Sequence, residues 1–184
     1  MANLKAIITD FDGTLVDTID ANTAAYKETF IILGLPFNEE KYRAAYGLRL
    51  DLMMKEQDID QSLVEVVRKK KAEIYPNYFY KIKVNKDLLN FIKYSKSQGL
   101  KICIASTAAK ASLINVLNYL NITELFDFII SGEDVKEGKP DPEVYLKALE
   151  KCGCKPDEAI AFEDSLVGIK SASAAGINYM LVKM

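Results

Sequence analysis

The chain has 184 residues, of which 49% are hydrophobic and 27% charged, so it is long enough for one substantial core with a small insertion but not for two large domains. Its formal net charge of -2 gives no positive field that would favour nucleic acid as a partner. The sequence contains no histidine, which excludes Ser-His-Asp and Cys-His catalysis as well as any histidine-ligated metal.

The sequence has neither an apolar run of about 18 residues nor a signal peptide at its start, so we expect a cytoplasmic protein without a membrane partner. The one basic run, residues 68–71, is typical of a solvated helix face. The cysteines Cys103, Cys152 and Cys154 do not indicate a disulfide framework, and they lack the further partners of a metal site.

The first predicted element is a buried strand that begins at Leu4 and stops at two aspartates. Asp10 and Asp12 are separated by one residue, and side chains two apart on an extended chain point the same way, so both carboxylates should leave the strand side by side. Two carboxylates that close repel each other unless a cation or a proton lies between them. Gly13, where backbone can approach a ligand, and the Thr14 hydroxyl follow directly. A strand followed by an ordinary Asp-Gly turn is the alternative interpretation.

The next stretch predicts helices only. Apolar positions at helical spacing predict a helix over residues 20–33, and further helices are expected from Asn38, over 51–55 and over 61–75. No stretch between Asp17 and Phe79 has the pattern of a buried strand. We therefore expect an all-helical insertion of about sixty residues, a size suited to a lid.

From Lys86 onward, predicted helices and strands alternate. The helices are expected at 86–98, 110–120, 142–152 and 166–175, and the strands at 101–105, 127–131, 159–163 and 179–182. This alternation predicts an α/β fold, a Rossmann-like doubly wound parallel sheet with a small all-helical cap inserted after the first strand. Residues 1–17 and 83–184 would form the core domain, and residues 18–82 the cap.

Polar residues stand at the carboxyl ends of the later strands, where ligands of such sheets bind. Ser106 and Thr107 follow the second strand and offer hydroxyls and backbone N–H groups to a phosphate, although simple N-capping would also explain them. Glu163 and Asp164 stand at the end of the fourth strand, where Asp164 would also serve as a cap. Lys139 would offset the charge of these carboxylates, and an exposed loop lysine is the alternative.

These motifs together resemble a known family. Asp10-Phe11-Asp12-Gly13-Thr14, Ser106, Lys139-Pro140 and Glu163-Asp164 are similar, in order and spacing, to the four motifs of the haloacid dehalogenase-like (HAD) superfamily. The stretches at 138–142 and 163–169 resemble its beta-phosphoglucomutase and phosphoglycolate phosphatase-like branch. The resemblance covers essentially the whole chain.

The resemblance implies a Mg²⁺-dependent phosphatase that hydrolyses a small phosphorylated metabolite through an aspartyl-phosphate. Asp10 would be the nucleophile, and Asp12 the general acid and base. The Asp10 carboxylate, the Asp12 carbonyl and Asp164 would hold Mg²⁺, with Glu163 supporting the metal through its waters or through Lys139. The implied phosphate contacts are Gly13, Thr14, Ser106, Thr107 and Lys139.

Two departures from this branch bear on the reaction. In the sugar-phosphate mutases a histidine lies soon after the first motif, whereas this chain has Asn22 there, which favours hydrolysis. The sequence also ends soon after its final strand, where relatives continue through another strand and helix, so we expect a minimal or a shortened core. Asn22 and Arg49 are the cap residues expected to contact the substrate. A phosphosugar mutase and a non-catalytic phosphometabolite-binding protein are the alternatives, and we expect a monomer or a weak homodimer.

Overall fold

The computed structural model describes residues 4–46, 48 and 50–184. It divides into two compact units. The core unit contains the described residues up to Asp17 together with Val84–Met184, and the helical unit contains Thr18–Lys83.

From Lys86 onward, helices and strands alternate along the chain as the sequence predicts. The strands are β1 (Ala6–Thr9), β2 (Val16–Asp17), β3 (Lys83–Val84), β4 (Lys101–Ala105), β5 (Phe128–Ile130), β6 (Ala159–Glu163) and β7 (Asn178–Leu181). The α-helices are α1 (Ile19–Ile32), α2 (Glu39–Ala44), α3 (Leu50–Glu56), α4 (Val64–Ile74), α5 (Lys86–Ser97), α6 (Lys110–Tyr119), α7 (Glu143–Cys152) and α8 (Leu166–Ala174).

Five of the strands form one parallel sheet in the order β5-β4-β1-β6-β7, and β2 and β3 form a separate pair. The central strand β1 is fully buried, and Ile7 pairs with Ile102 on one side and with Ile160 on the other. Strands covered on both faces favour continuous apolar runs, and β1 has the sequence Ala-Ile-Ile-Thr. The predicted α/β fold is confirmed.

Both faces of the sheet carry helices. On one face, Tyr145 of α7 belongs to the same apolar cluster as Ile8 and Cys103. Neighbouring residues of a strand point to opposite faces of the sheet. Ala161 of β6 belongs to this cluster, so the next residue, Phe162, points to the opposite face. There its ring centroid lies 5.6 Å from that of Phe91 in α5.

The edge strand β7 lies within one residue of its predicted bounds, and every one of its side chains is exposed. Tyr179, Met180 and Leu181 remain 46 to 55% exposed. β7 pairs with β6 alone, and the described residues do not cover its outer side chains.

The helical unit has its own apolar core, in which Phe30, Tyr42 and Met54 are buried. Aromatic rings pack closely there, with 5.4 Å between the ring centroids of Phe30 and Phe37. The predicted helix over 61–75 is a short 3₁₀ turn, Gln61–Leu63, followed by α4.

The prediction of a solvated basic face is wrong for Lys71, whose side chain is buried. Its ammonium lies 3.5 Å from the centroid of the Tyr75 ring and 5.3 Å from that of Tyr26. A long aliphatic stem can be buried while the charge faces aromatic rings, which explains the difference.

Among residues 4–46, 48 and 50–184, no helix has both the length and the apolar composition needed to cross a lipid bilayer.

Candidate active site

Three carboxylates converge at the carboxyl ends of β1 and β6. Asp10 follows β1, Glu163 ends β6, and Asp164 follows it. The two strands are parallel neighbours, and the Asp10 N–H donates to the Phe162 carbonyl over 2.9 Å. One carboxylate oxygen from each of Asp10, Glu163 and Asp164 lies within 4.8 Å of the other two. We call these three residues the carboxylate cluster.

Lys139 connects two members of the cluster. Its Nζ donates to Asp10 Oδ1 over 2.6 Å and to Glu163 Oε1 over 2.5 Å, and its side chain is only 7% exposed. Burial opposes the charge of the ammonium, but the negative charges of Asp10 and Glu163 outweigh burial and raise the pKa of Lys139. Lys139 is therefore an ion-paired residue of the site, and the interpretation as an exposed loop lysine is wrong.

Burial and the negative charge of Asp10 together raise the pKa values of Glu163 and Asp164. Glu163 is 1% exposed, and its removal from water, with the negative charge of Asp10 adding, raises its pKa to about 7. The pKa of Asp164 is raised for the same two reasons, while the hydroxyl of Thr14 opposes the shift. A cation beside these groups would relieve this crowding of negative charge.

Two glycines make room for the carboxylates. Gly13 has a φ of +88°, and a Cβ atom there would lie 2.8 Å from the Asp164 Cγ, closer than real Cβ atoms approach. A Cβ atom at Gly168 in α8 would overlap the carboxylate of Glu163. Gly13 was predicted to contact phosphate, yet its N–H donates to the Val16 carbonyl over 2.7 Å. Both positions therefore require glycine for the space that it leaves free.

Two of the three predicted phosphate-binding hydroxyls, those of Thr14 and Ser106, have hydrogen-bond partners within the protein. Thr14 Oγ1 donates to Asp164 Oδ1 over 3.1 Å. Ser106 is buried and its Oγ accepts the Ala108 N–H over 3.1 Å, so it caps the turn after β4. The neighbouring Thr107 is half-buried.

Asp12 lies half-buried in the turn beyond β1. It forms an isolated bridge with Val16, and both Leu15 and Val16 donate their N–H groups to the Phe11 carbonyl over 3.0 Å. These bonds fold residues 11–16 into a tight turn directly after the strand. The group of three converging carboxylates does not include that of Asp12, so its predicted place beside the Asp10 carboxylate stays a prediction.

Asn22 and Arg49 are the two residues of the predicted cap that were expected to contact the substrate. Asn22 lies in the helical unit, where its Nδ2 donates to Thr18 Oγ1 over 2.9 Å. The Thr18 hydroxyl also shares a 2.6 Å hydrogen bond with the Tyr46 hydroxyl. Arg49 lies outside the described residues.

Sequence reasoning missed Tyr145 and the spatial role of Gly168. Tyr145 is fully buried in α7, and its hydroxyl donates to Glu163 Oε1. In the sequence it stands among Val144, Ala148 and Leu149, which share its apolar helix face, so it is indistinguishable from a core residue. The one sequence feature that could have indicated a role for Tyr145 in the site is that it follows Lys139 by only six residues.

The donor set of the cluster fits a hard divalent cation. Oxygen ligands from carboxylates suit Mg²⁺, and Asp10, Glu163 and Asp164 provide three such groups at one point. The site thus combines a carboxylate fixed by an ammonium with a place where a cation would be held.

The sequence matches the family model described as haloacid dehalogenase-like hydrolase over residues 7–182. It is 30% identical over 178 residues to the phosphorylated carbohydrates phosphatase of Thermotoga maritima, covering 95% of this chain and 82% of that protein. It is 31% identical over 182 residues to the phosphoglycolate phosphatase of Aquifex aeolicus, covering 94% and 82%. The structure of CbbY from Rhodobacter sphaeroides in complex with phosphate superposes with a TM-score of 0.88 at 25% identity, covering 98% of this chain and 87% of that one.

Proposed function

The chain belongs to the haloacid dehalogenase-like hydrolases and is a phosphoric monoester hydrolase, and we propose that it cleaves its substrate through a covalent phosphate on Asp10 with Mg²⁺ bound beside it. The observation that carries the proposal is the contact of Lys139 with both Asp10 and Glu163 at the end of the central strands. An ammonium buried between two carboxylates is expensive to maintain and suits a site that must stabilise negative charge.

Asp10 is the proposed nucleophile. Lys139 holds Oδ1 of this carboxylate, which directs the side chain and leaves Oδ2 for attack. Oδ2 forms a bond to phosphorus while the bond from phosphorus to the alcohol oxygen breaks. An ammonium has three donors, of which Asp10 and Glu163 take two, so the third is available to a phosphoryl oxygen.

Asp12 is the proposed general acid and base. It gives its proton to the departing alcohol oxygen and later takes a proton from the attacking water. That water forms a bond to phosphorus, the bond between Asp10 and phosphorus breaks, and inorganic phosphate leaves. The position of Asp12 supports this role, because it stands two residues after Asp10 in the turn that follows β1.

Asp10, Asp164 and the Asp12 carbonyl are the proposed holders of Mg²⁺, with Glu163 supporting them. Bound there, the cation would offset the charge of the phosphoryl oxygens. The Thr14 hydroxyl orients Asp164, and Gly13 gives its carboxylate room. The raised pKa of Asp164, caused by burial and by the charge of Asp10, supports a cation site.

A small phosphorylated metabolite is the proposed substrate. The relatives named above act on phosphorylated carbohydrates and on phosphoglycolate, and the CbbY structure holds phosphate. Phosphate contacts by Gly13, Thr14, Ser106 and Thr107 stay predictions. So do substrate selection by the helical unit, a cytoplasmic location, and a monomeric or weakly dimeric state.

The test is phosphate release from sugar phosphates, phosphoglycolate and p-nitrophenyl phosphate, with and without Mg²⁺. We expect metal-dependent release by the wild type and by the control Asp157→Asn, which changes an exposed aspartate. Asp10→Asn should lower kcat by about 10⁴-fold or more while it leaves the fold intact. Wild-type turnover by Asp10→Asn would refute the covalent mechanism. Isomerisation of beta-glucose 1-phosphate without phosphate release would identify a mutase.

A further inference from the structure

We propose that Tyr145 is a positioning residue, whose buried hydroxyl fixes the Glu163 carboxylate and thereby holds the Lys139 ammonium against Asp10. The kinetic consequence of this proposal rests on the proposed phosphatase function. The positioning itself can be measured without turnover.

The first step is the hydrogen bonding of one carboxylate oxygen. Glu163 Oε1 accepts both the Tyr145 hydroxyl and the Lys139 ammonium, the latter over 2.5 Å. A carboxylate oxygen has two lone pairs, so both of its acceptor positions are occupied. Rotation of this carboxylate would break two hydrogen bonds at once, and Glu163 therefore has one favoured orientation.

The second step is the rigidity of Tyr145 itself. Its ring is fully buried in the apolar cluster that includes Ile8 and Ala161. Ile8 lies in β1, two residues before Asp10, and Ala161 lies in β6, two residues before Glu163. The ring is thus packed against the same two strands that carry the carboxylates, which ties its hydroxyl to their position.

The ring also lies near the ammonium. Lys139 Nζ lies 5.2 Å from the centroid of the Tyr145 ring, within the range of a cation–π attraction. Lys139 therefore has Asp10 and Glu163 as hydrogen-bond acceptors and the aromatic ring as a third neighbour. With two of its three donors fixed, the direction of the remaining N–H is fixed as well.

Packing alone does not explain why residue 145 has a hydroxyl group. A phenylalanine would fill the same apolar volume without removing a hydroxyl from water, a transfer that is unfavourable unless the hydroxyl is hydrogen-bonded. In this protein the hydroxyl is bonded to Glu163. The polar atom at this buried position is therefore explained by what it does for Glu163 and Lys139.

Tyr145→Phe keeps the ring and removes the hydroxyl. With p-nitrophenyl phosphate and Mg²⁺ we expect kcat to fall about 10-fold with a change in KM below about twofold, because misplacement of a charged group mainly affects the transition state. The matched control is Tyr78→Phe, which removes a 2.6 Å hydrogen bond between another tyrosine and Glu28 in the helical unit. The control should retain wild-type kcat.

A double-mutant cycle separates positioning from general stability. If Tyr145 acts through Glu163, then Tyr145→Phe should have no further effect on kcat in a Glu163→Ala background. An equal loss of kcat in both backgrounds would overturn the proposal, as would wild-type kcat in Tyr145→Phe alone.

The second readout is independent of catalysis. The ¹⁵N resonance of the Lys139 ammonium, assigned by its loss in Lys139→Met, should be sharp in the wild type and in Tyr78→Phe because the group is buried and hydrogen-bonded. It should shift or broaden in Tyr145→Phe. If the wild type releases no phosphate, the proposed function fails, and this resonance still decides the role of Tyr145. A resonance unchanged in Tyr145→Phe would refute it.

Discussion

Replacing Gly168 with alanine places a methyl group where the carboxylate of Glu163 lies. Gly168 is the third residue of α8, and an ideal Cβ atom there would come well within 3.0 Å of both oxygens of that carboxylate. Glu163 is buried and bonded to Lys139 and Tyr145. Its carboxylate can therefore make way for the methyl group only by giving up these hydrogen bonds.

The size of the effect follows from the bonds that are lost. A hydrogen bond to a charged group contributes about 1.5–3 kcal/mol, so two of them contribute about 3–6 kcal/mol. Lys139 keeps its bond to Asp10, which favours the lower end of that range. Alanine within a helix is favoured over glycine by about 1 kcal/mol. We expect Gly168→Ala to lower the free energy of unfolding by about 2–3 kcal/mol and to lower phosphate release with it.

Urea unfolding followed by circular dichroism measures this change, from the midpoint at an unchanged m value. The control is the same substitution in a Glu163→Ala background, where the methyl group has space. There we expect Gly168→Ala to be neutral or to stabilise by up to about 1 kcal/mol. A loss of equal size in both backgrounds would show that the Glu163 carboxylate is not the cause.

Three further predictions concern neighbouring parts of the site. In Gly13→Ala, the new Cβ atom would overlap the Asp164 carboxylate at a φ of +88° that alanine rarely adopts. We therefore expect Mg²⁺ to bind at least about 10-fold more weakly, as measured by calorimetry. An unchanged affinity would argue against Asp164 as a ligand. Between pH 4.5 and about 7, folded Glu163 keeps a proton that the unfolded chain has released, because its pKa is raised to about 7. Over that range the free energy of unfolding of the metal-free wild type should fall by about 3 kcal/mol relative to Glu163→Gln, and a constant difference in urea titrations would contradict this. Asn85→Ala removes the N-cap of α5 and a 3.2 Å bond to the Thr14 carbonyl, so it should destabilise by about 1–2 kcal/mol, and wild-type stability on thermal unfolding would refute that.

The sheet could be predicted because buried parallel strands have a simple sequence pattern. The strands over 101–105 and 159–163 have the predicted bounds, since each is a short apolar run between a turn and a polar residue. Gly153 ends α7 with a φ of +64°, as expected from a glycine after the last helical residue. Exposure of β7 could not be predicted, because it depends on what lies beside the strand and not on the strand itself.

The meeting of the carboxylates followed from the same pattern, because parallel neighbours end at the same edge of the sheet. The rest of the site depends on distances between residues far apart in sequence. A helical glycine at 168 gives no sign that it faces Glu163, and the Thr14 hydroxyl gives no sign that its acceptor is 150 residues away. Lys71 shows the same limit, since its burial depends on two aromatic rings.

The central position of β1 also has a consequence for how the protein folds. Ala6 pairs with Lys101 and with Ala159, so both partners of β1 follow it roughly 100 and 150 residues later along the chain. Such distant contacts carry a high loop-closure entropy before they contribute any stability, and parallel sheets built this way fold slowly. During synthesis, the apolar strand β1 has no sheet partner until β4 has left the ribosome, and its second partner follows only with β6. The nascent chain is therefore most exposed to aggregation, and most in need of chaperones, before β6 emerges.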